Sequence, residues 1–361
     1  MVRLRRTARI LAVALIALVL LFSLQSKVNA QAALDPVVIL YDASHNPQFA
    51  VDDDTGLGLM LDMVNASTRY VVRVNTDPIE NTTLNDVDIL IVAGPDPNSG
   101  FGNTEVISIA EMMNNGSSVL LLGNPVIGNN SGYWDDVVLQ NIGDNIALNR
   151  LLDALNITGP RFSINETKLF SWSDAMFDHE HAINESSPWV TLMDSSTWDA
   201  SHPIFKNINE LVVMTATLKP LDLVSTIATG HESSFAQFRS SPTSMGNYTF
   251  PNMTLDDFSE NPLSYSAING TFPPWMSAFE YGDSRVVISG SAIMFSGLVL
   301  DDPGNEARWF YTADNARLFM NILDWLSEGF VEPPGAIDSM LMVSLTILAV
   351  GAVYYTFRKL R

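Results

Sequence analysis

Cysteine is absent from all 361 residues. That one absence excludes disulfide bridges, thiolate metal ligation and a cysteine nucleophile. Basic residues are scarce too: 19 Lys and Arg stand against 40 Asp and Glu, a formal net charge of −21. Eight of the 19 fall in the first 27 or last four positions, and no acid occurs in the first 30, so the stretch between holds 11 basic and 40 acidic residues. A surface of that sign repels nucleic acid phosphates and anionic headgroups, which excludes both as partners of the soluble part. A Gly-x-Ser-x-Gly nucleophile elbow is also missing. Zero cysteine alone assigns no compartment.

What is present is concentrated first at the ends. Residues 1–30 have the three parts of an export signal: Arg3, Arg5, Arg6 and Arg9, then the apolar Ile10–Leu24, then Val28-Asn-Ala30 as a small-x-small cleavage site. Ser339–Phe357 is a 19-residue run without charge, long enough to span a hydrocarbon core of ~30 Å. Tyr354 and Tyr355 lie at its end, and Arg358, Lys359 and Arg361 follow. The positive-inside rule keeps that basic tail, 358–361, in the cytoplasm. The expectation is a single-pass type I protein in a cell membrane or an endoplasmic-reticulum-type membrane, with an ectodomain over 34–328 and a linker over 329–338.

Asn-x-Ser/Thr sequons agree with export. They occur at Asn65, Asn81, Asn115, Asn129, Asn156, Asn165, Asn184, Asn247, Asn252 and Asn269, where composition alone gives roughly four of this surface-loop motif. All lie between the two membrane signals. The reading is a glycoprotein whose host has N-glycosylation machinery outside the cytoplasm, an archaeon or a eukaryote.

Within the ectodomain, Pro36–Tyr41, Tyr70–Val74, Asp88–Val92, Val119–Leu122 and Arg285–Ile288 are apolar, β-branched runs that read as strands. Gly56–Val64, Glu105–Met113 and Asn145–Leu155 have helical spacing between them. Alternating strand and helix with continuous apolar strands means an α/β fold, a flavodoxin-like parallel sheet covered on both faces. A last helix opens near Thr312 or Asp314, either of which is a cap candidate, and puts Leu318, Ile322, Trp325 and Leu326 on one face. From about 157 to 276 the chain turns polar and rich in Trp, Pro and sequons, with Leu211–Met214 and Val224–Ala228 as its plausible strands. That stretch reads as an insertion.

Three stretches carry a resemblance: Ile39-Leu-Tyr-Asp-Ala-Ser-His45; Asn103–Gly123, in which Glu105 opens a helix that leads through Asn115-Gly116 to a strand; and Arg285–Leu326, with its Arg-Val-Val-Ile-Ser-Gly-Ser opening. They resemble class I glutamine-amidotransferase-like domains that have lost their enzyme chemistry. Such domains occur in intraflagellar-transport and gliding-motility proteins and in the 48-kDa non-catalytic subunit of the oligosaccharyltransferase. The resemblance implies a non-catalytic, membrane-anchored extracytoplasmic subunit that stabilises a membrane complex, with other membrane-protein subunits as partners and an oligosaccharyltransferase as the leading candidate. It implies neither an enzyme nor a cofactor. The alternative is an extracytoplasmic binding module for a sugar or other polar ligand, associated with a transporter or the cell surface.

Ligands of open α/β sheets bind beyond the carboxyl ends of strands. The residues there are Asp42, Ser44 and His45 after the first strand, Gly94 after the third, Asn124 after the fourth and Ser289, Gly290 and Ser291 after the last. They form a candidate pocket. For Asp42, Ser44 and His45 a plainer reading stands beside it, an Asx-type turn with a surface histidine. Ser289 and Ser291 equally suit a tight strand end. Asp174, Asp178, His179, Glu180 and His181 read either as divalent-cation ligands or as a solvated acidic loop.

Overall fold

The computed structural model describes residues 36–328 except 52, 129, 167–170, 220–224, 239–262 and 267–271. The expected export signal, linker, membrane span and basic tail therefore lie outside the described residues, as do Asn129, Asn247, Asn252 and Asn269. Among the described residues no helix is long and apolar enough to cross a membrane.

The first half follows the alternation in the sequence: β1 (Val37–Asp42), α1 (Gly58–Asn65), β2 (Tyr70–Asn75), α2 (Asn81–Leu84), β3 (Ile89–Ala93), α3 (Asn103–Asn114), β4 (Ser118–Leu122) and α4 (Ile146–Ala154). A run of short strands comes next: β5 (Arg161–Phe162), β6 (Ile164–Glu166), β7 (Ser171–Phe177), β8 (Thr191–Asp194), β9 (Glu210–Val213), β10 (Leu218–Lys219), β11 (Thr226–Thr229), β12 (Phe235–Phe238) and β13 (Leu263–Ser266). The chain closes with β14 (Pro274–Tyr281), β15 (Ser284–Ser289) and α5 (Asn315–Leu326).

The main sheet has seven strands in the order β11-β14-β15-β4-β3-β1-β2. From β15 to β2 all neighbours are parallel, and β14 and β11 extend the sheet antiparallel. The parallel part has the flavodoxin-like order, with its switch point between β1 and β3. β1 is apolar nearly throughout because both its faces are covered. Ile39 and Tyr41 join Met60, Leu61 and Val64 of α1 and Leu318, Phe319 and Ile322 of α5 in one cluster. Leu40 turns the other way, to Ile109 and Met112 of α3 and Leu148, Leu151 and Leu152 of α4. Each such side chain, once fully buried, contributes about 1.5–3 kcal/mol.

Two local expectations are corrected. α5 begins after Asp314, but neither cap candidate caps it with its side chain. The Thr312 hydroxyl donates to the Arg308 carbonyl (2.8 Å), and Asp314 accepts from the Asn209 N–H (2.8 Å). The stretch 157–276 holds far more strand than two segments. It builds a four-stranded sheet, β13-β12-β7-β6, and two smaller pairs, and its β11 joins the main sheet through β14. It shares the main core, because Trp172, Phe177, Trp189, Trp198 and Phe205 belong to the same apolar cluster as Ile39 and Tyr41.

Candidate functional site

Where β1 ends, the chain turns on Asp42. Its Oδ1 accepts the Ser44 N–H (3.0 Å) and the Ser44 hydroxyl (2.6 Å), an Asx turn. Its Oδ2 lies 2.6 Å from His45 Nδ1. The histidine is not on the surface: it is 5% exposed and stacks on Phe101 with ring centroids 3.9 Å apart. Its Nε2 faces Glu105 Oε2 at 3.4 Å. Glu105 in turn accepts the Gly102 N–H (2.7 Å) at the start of α3, as in a capping box, and with Oε1 the Ile79 N–H (2.9 Å). Burial of the ring works against its charge, but the hydrogen bond and charge of Asp42, and then Glu105, raise the His45 pKa above its ordinary value. Set between the carboxylates of Asp42 and Glu105, the imidazole ties together the β1 loop, the α3 N-terminus and the segment after β2.

This is not a nucleophilic triad. In one, the serine and the carboxylate sit on opposite ring nitrogens of the histidine. Here both Ser44 Oγ (3.0 Å) and Asp42 face Nδ1.

The other candidate residues are packed rather than open. The β1 and β3 loops are joined by the Asp96 N–H donating to the His45 carbonyl (2.9 Å) and the Gln48 N–H to the Gly94 carbonyl (2.8 Å). Gly94 has φ +51°, which favours glycine, and a Cβ there would lie 2.7 Å from Gln48 Oε1 and force that side chain to shift. Asn124 is fully buried. It donates to Gln48 Oε1 (2.9 Å), accepts the Ile293 N–H (3.0 Å), and exchanges two hydrogen bonds with Asn145. Asn145 continues the network to Ser173 of β7 (2.6 Å). Beyond β15, a Cβ on Gly290 would lie 2.0 Å from the Ala216 carbonyl oxygen. Ser291 is buried, and its hydroxyl accepts the Met294 N–H (3.2 Å). The expected pocket thus divides. Asp42, Ser44 and His45 form one cluster, completed by Glu105 and Phe101. Gly94 is buried against Gln48 and Asn124, while Asn124, Ser289, Gly290 and Ser291 are buried where the 157–276 stretch packs across the strand ends.

A second cluster follows β7. Asp178 is buried and accepts the backbone N–H groups of Glu180 (2.9 Å) and His181 (3.0 Å) and the hydroxyls of Ser233 (2.8 Å) and Ser234 (2.7 Å). Burial opposes its charge, but the serine hydroxyls and those N–H groups bring its pKa below the ordinary carboxylate value. His181 approaches Asp178 through Nδ1 (3.2 Å) and stacks on His231 with centroids 3.6 Å apart and planes 10° from parallel. His231 Nε2 lies 3.0 Å from the Leu192 carbonyl. Glu180, His181, Ser196, His231, Glu232 and Ser233 line a cleft of about 570 Å³. The solvated-loop expectation fails for the first two residues of this stretch: Asp174 is buried and accepts the Thr217 N–H (2.7 Å), and Asp178 is buried too, whereas Glu180 is exposed and His179 and His181 are half-buried. Among the described residues no group of three His, Cys, Asp or Glu side chains could hold a metal ion.

Among the sequons, Asn65, Asn81, Asn115 and Asn156 are exposed, and Asn165 and Asn184 are half-buried.

No family model matches the chain, and no curated protein matches its sequence. Solved structures do. The mmIFT52 N-terminal domain is similar with a TM-score of 0.50 and 15% identity, over 82% of this chain and 100% of that one. A cytoplasmic protein from Salmonella typhimurium LT2 has a TM-score of 0.40 at 11% identity, over 80% of this chain and 98% of that one. A ThuA-like protein from Bacteroides uniformis has 0.37 at 12%, over 84% and 97%. At such identities the likeness to the mmIFT52 domain is one of fold alone.

Proposed function

We propose that this protein is a non-catalytic, membrane-anchored extracytoplasmic subunit that stabilises a membrane complex. The observation that carries this is the closed strand-end crevice. The place where such a sheet takes its ligand is filled by Gln48, Asn124 and Asn145 and overlain by Ala216, and the Ser44 hydroxyl is committed to Asp42. The sequence resemblance makes an oligosaccharyltransferase the best candidate complex. About a dozen residues separate α5 from the expected span, a reach of only ~40 Å, which holds the ectodomain close to the bilayer and to its neighbours' external loops.

The residues from Arg285 to Leu326 contain no sequon and supply a docking surface, with Val299 and Tyr311 exposed at 43% and 63%. The test is purification from the native host in mild detergent, with the co-eluting chains identified. Pro303→Asn combined with Asn305→Thr puts a glycan on this surface and should release the partners. Full co-purification with that glycan occupied removes the surface from the proposal. Glutamine and acyl-ester substrates should show no turnover, and turnover lost on Ser291→Ala would overturn the non-catalytic reading.

The cleft beside His181 and His231 supports a second reading, a binding module. Two carboxylates, two hydroxyls and two imidazoles, with no Lys or Arg among the described lining residues, suit a sugar or another uncharged polar ligand better than an anion. Calorimetric titration with a monosaccharide panel, repeated on Glu232→Gln, decides it: saturable heat that the variant loses supports the reading, and no heat removes it.

A further inference from the structure

Among the described residues β2 is the outermost strand of the main sheet and pairs with β1 alone. Its sequence, Tyr70-Val-Val-Arg-Val-Asn75, is rich in β-branched residues, and Val71 and Val74 are 41% and 45% exposed. Its register with β1 runs without interruption. A regular, apolar edge of this kind is a template for a strand from another chain. The opposite edge is protected differently: β11 is broken by register shifts on both sides of Ala228, and Trp198 bridges to that same residue. β2 has no such bulge. Its one charged residue, Arg73, points its guanidinium at the Asn85 carbonyl (3.4 Å).

What lies against β2 is Asn65, the exposed last residue of α1. Its Oδ1 accepts the Val72 N–H at 3.0 Å, so a donor of the strand is already capped by this carboxamide. Asn65-Ala-Ser67 is also an acceptor sequon. N-glycosylation joins Asn65 Nδ2 to the anomeric carbon of a glycosyl phosphate donor. The C–O bond to the phosphate breaks, the phosphate leaves with the bonding pair, and Nδ2 gives up one proton. Oδ1 is untouched, so the bond to Val72 survives modification. We propose that a glycan on Asn65, anchored by that bond, occupies the lane ~4.8 Å beyond β2 where an added strand would lie, and so prevents a second copy of this chain from pairing with the edge. This rests on the extracytoplasmic reading above, since the donor must be met outside the cytoplasm.

The test uses the full chain expressed in a glycosylating host, with occupancy mapped by peptide mass spectrometry and mass measured by light scattering over a concentration series. Ser67→Ala removes the sequon but keeps the Asn65 carboxamide. Asn65→Asp removes it and keeps an oxygen acceptor for Val72. Asn65 should be occupied in the parent, and both variants should self-associate at concentrations at least tenfold lower. Adding Val74→Lys, which charges the edge, should return both to the parent's mass. Asn65 found bare while other sequons are occupied overturns the inference alone, as does either variant keeping the parent's mass across the series. A chain bare at every sequon overturns the extracytoplasmic reading with it.

Discussion

His45 lies between two carboxylates in a nearly dry setting that favours its protonated form, so its protonation is coupled to folding. Its folded pKa is raised above the ordinary 6.5, and the stability it contributes is fully present below that unfolded value. It is lost as pH rises through the folded pKa. Thermal melts at about pH 6 and about pH 9 should therefore show the parent losing more stability than His45→Asn over that interval. The variant should be weaker at the lower pH by about 1.5–3 kcal/mol, the range for hydrogen bonds to charged groups. Equal pH slopes for the two proteins would remove the coupling. Glu105→Gln keeps one acceptor oxygen for the Gly102 N–H at the start of α3, gives up the bond to the Ile79 N–H and takes away one charge, so an NMR titration should place the His45 pKa lower than in the parent. Asp42, Ser44 and His45 are legible in the sequence because they follow an unmistakable strand. Glu105 is legible only as the opener of a helix. That its carboxylate meets an imidazole 60 residues earlier is a fact of topology, and no local pattern carries it.

The elements divide in the same way. The parallel strands and α5 announce themselves, because each meets its partners with a continuous apolar run or a 3.6-residue stripe. β7 does not. Ser171-Trp-Ser-Asp-Ala-Met-Phe177 places Ser173 and Asp174 at fully buried positions, tolerable only because Asn145 and Thr217 arrive to satisfy them. β7 is hidden in the sequence for that reason: its burial rests on polar partners from elsewhere, not on alternation. α5 holds a comparable device. Asn315 is fully buried, accepts the Val212 N–H (3.2 Å), and donates to the Val212 (2.9 Å) and Trp309 (3.0 Å) carbonyls. It joins the last helix to β9 and to the turn ahead of itself. Asn315→Leu should lower the urea midpoint markedly, since each buried group left unpaired costs about 1–3 kcal/mol. A midpoint within error of the parent's would show that the helix is held by its apolar stripe alone.

For the molecule as a whole, charge and chain order matter most. With 11 basic residues against 40 acidic ones between the two ends, the folded state repels itself, and salt screens that repulsion over ~10 Å at 0.1 M. The melting temperature should climb as potassium chloride is raised from low to molar concentration; a flat or falling curve would mean the acids are already locally balanced. The strand order adds a constraint of another kind. β4 lies between β3 and β15, yet β15 is translated about 160 residues after β4. At roughly 5–20 residues per second the ribosome takes about 8–30 s to deliver it. Throughout that interval the Ser118–Leu122 edge has no partner on one side, and β1 lacks the cover that α5 will give. The nascent chain therefore spends its synthesis as a half-built sheet with an open apolar seam, and its yield in any host depends on what shields that seam until residue 326 has emerged.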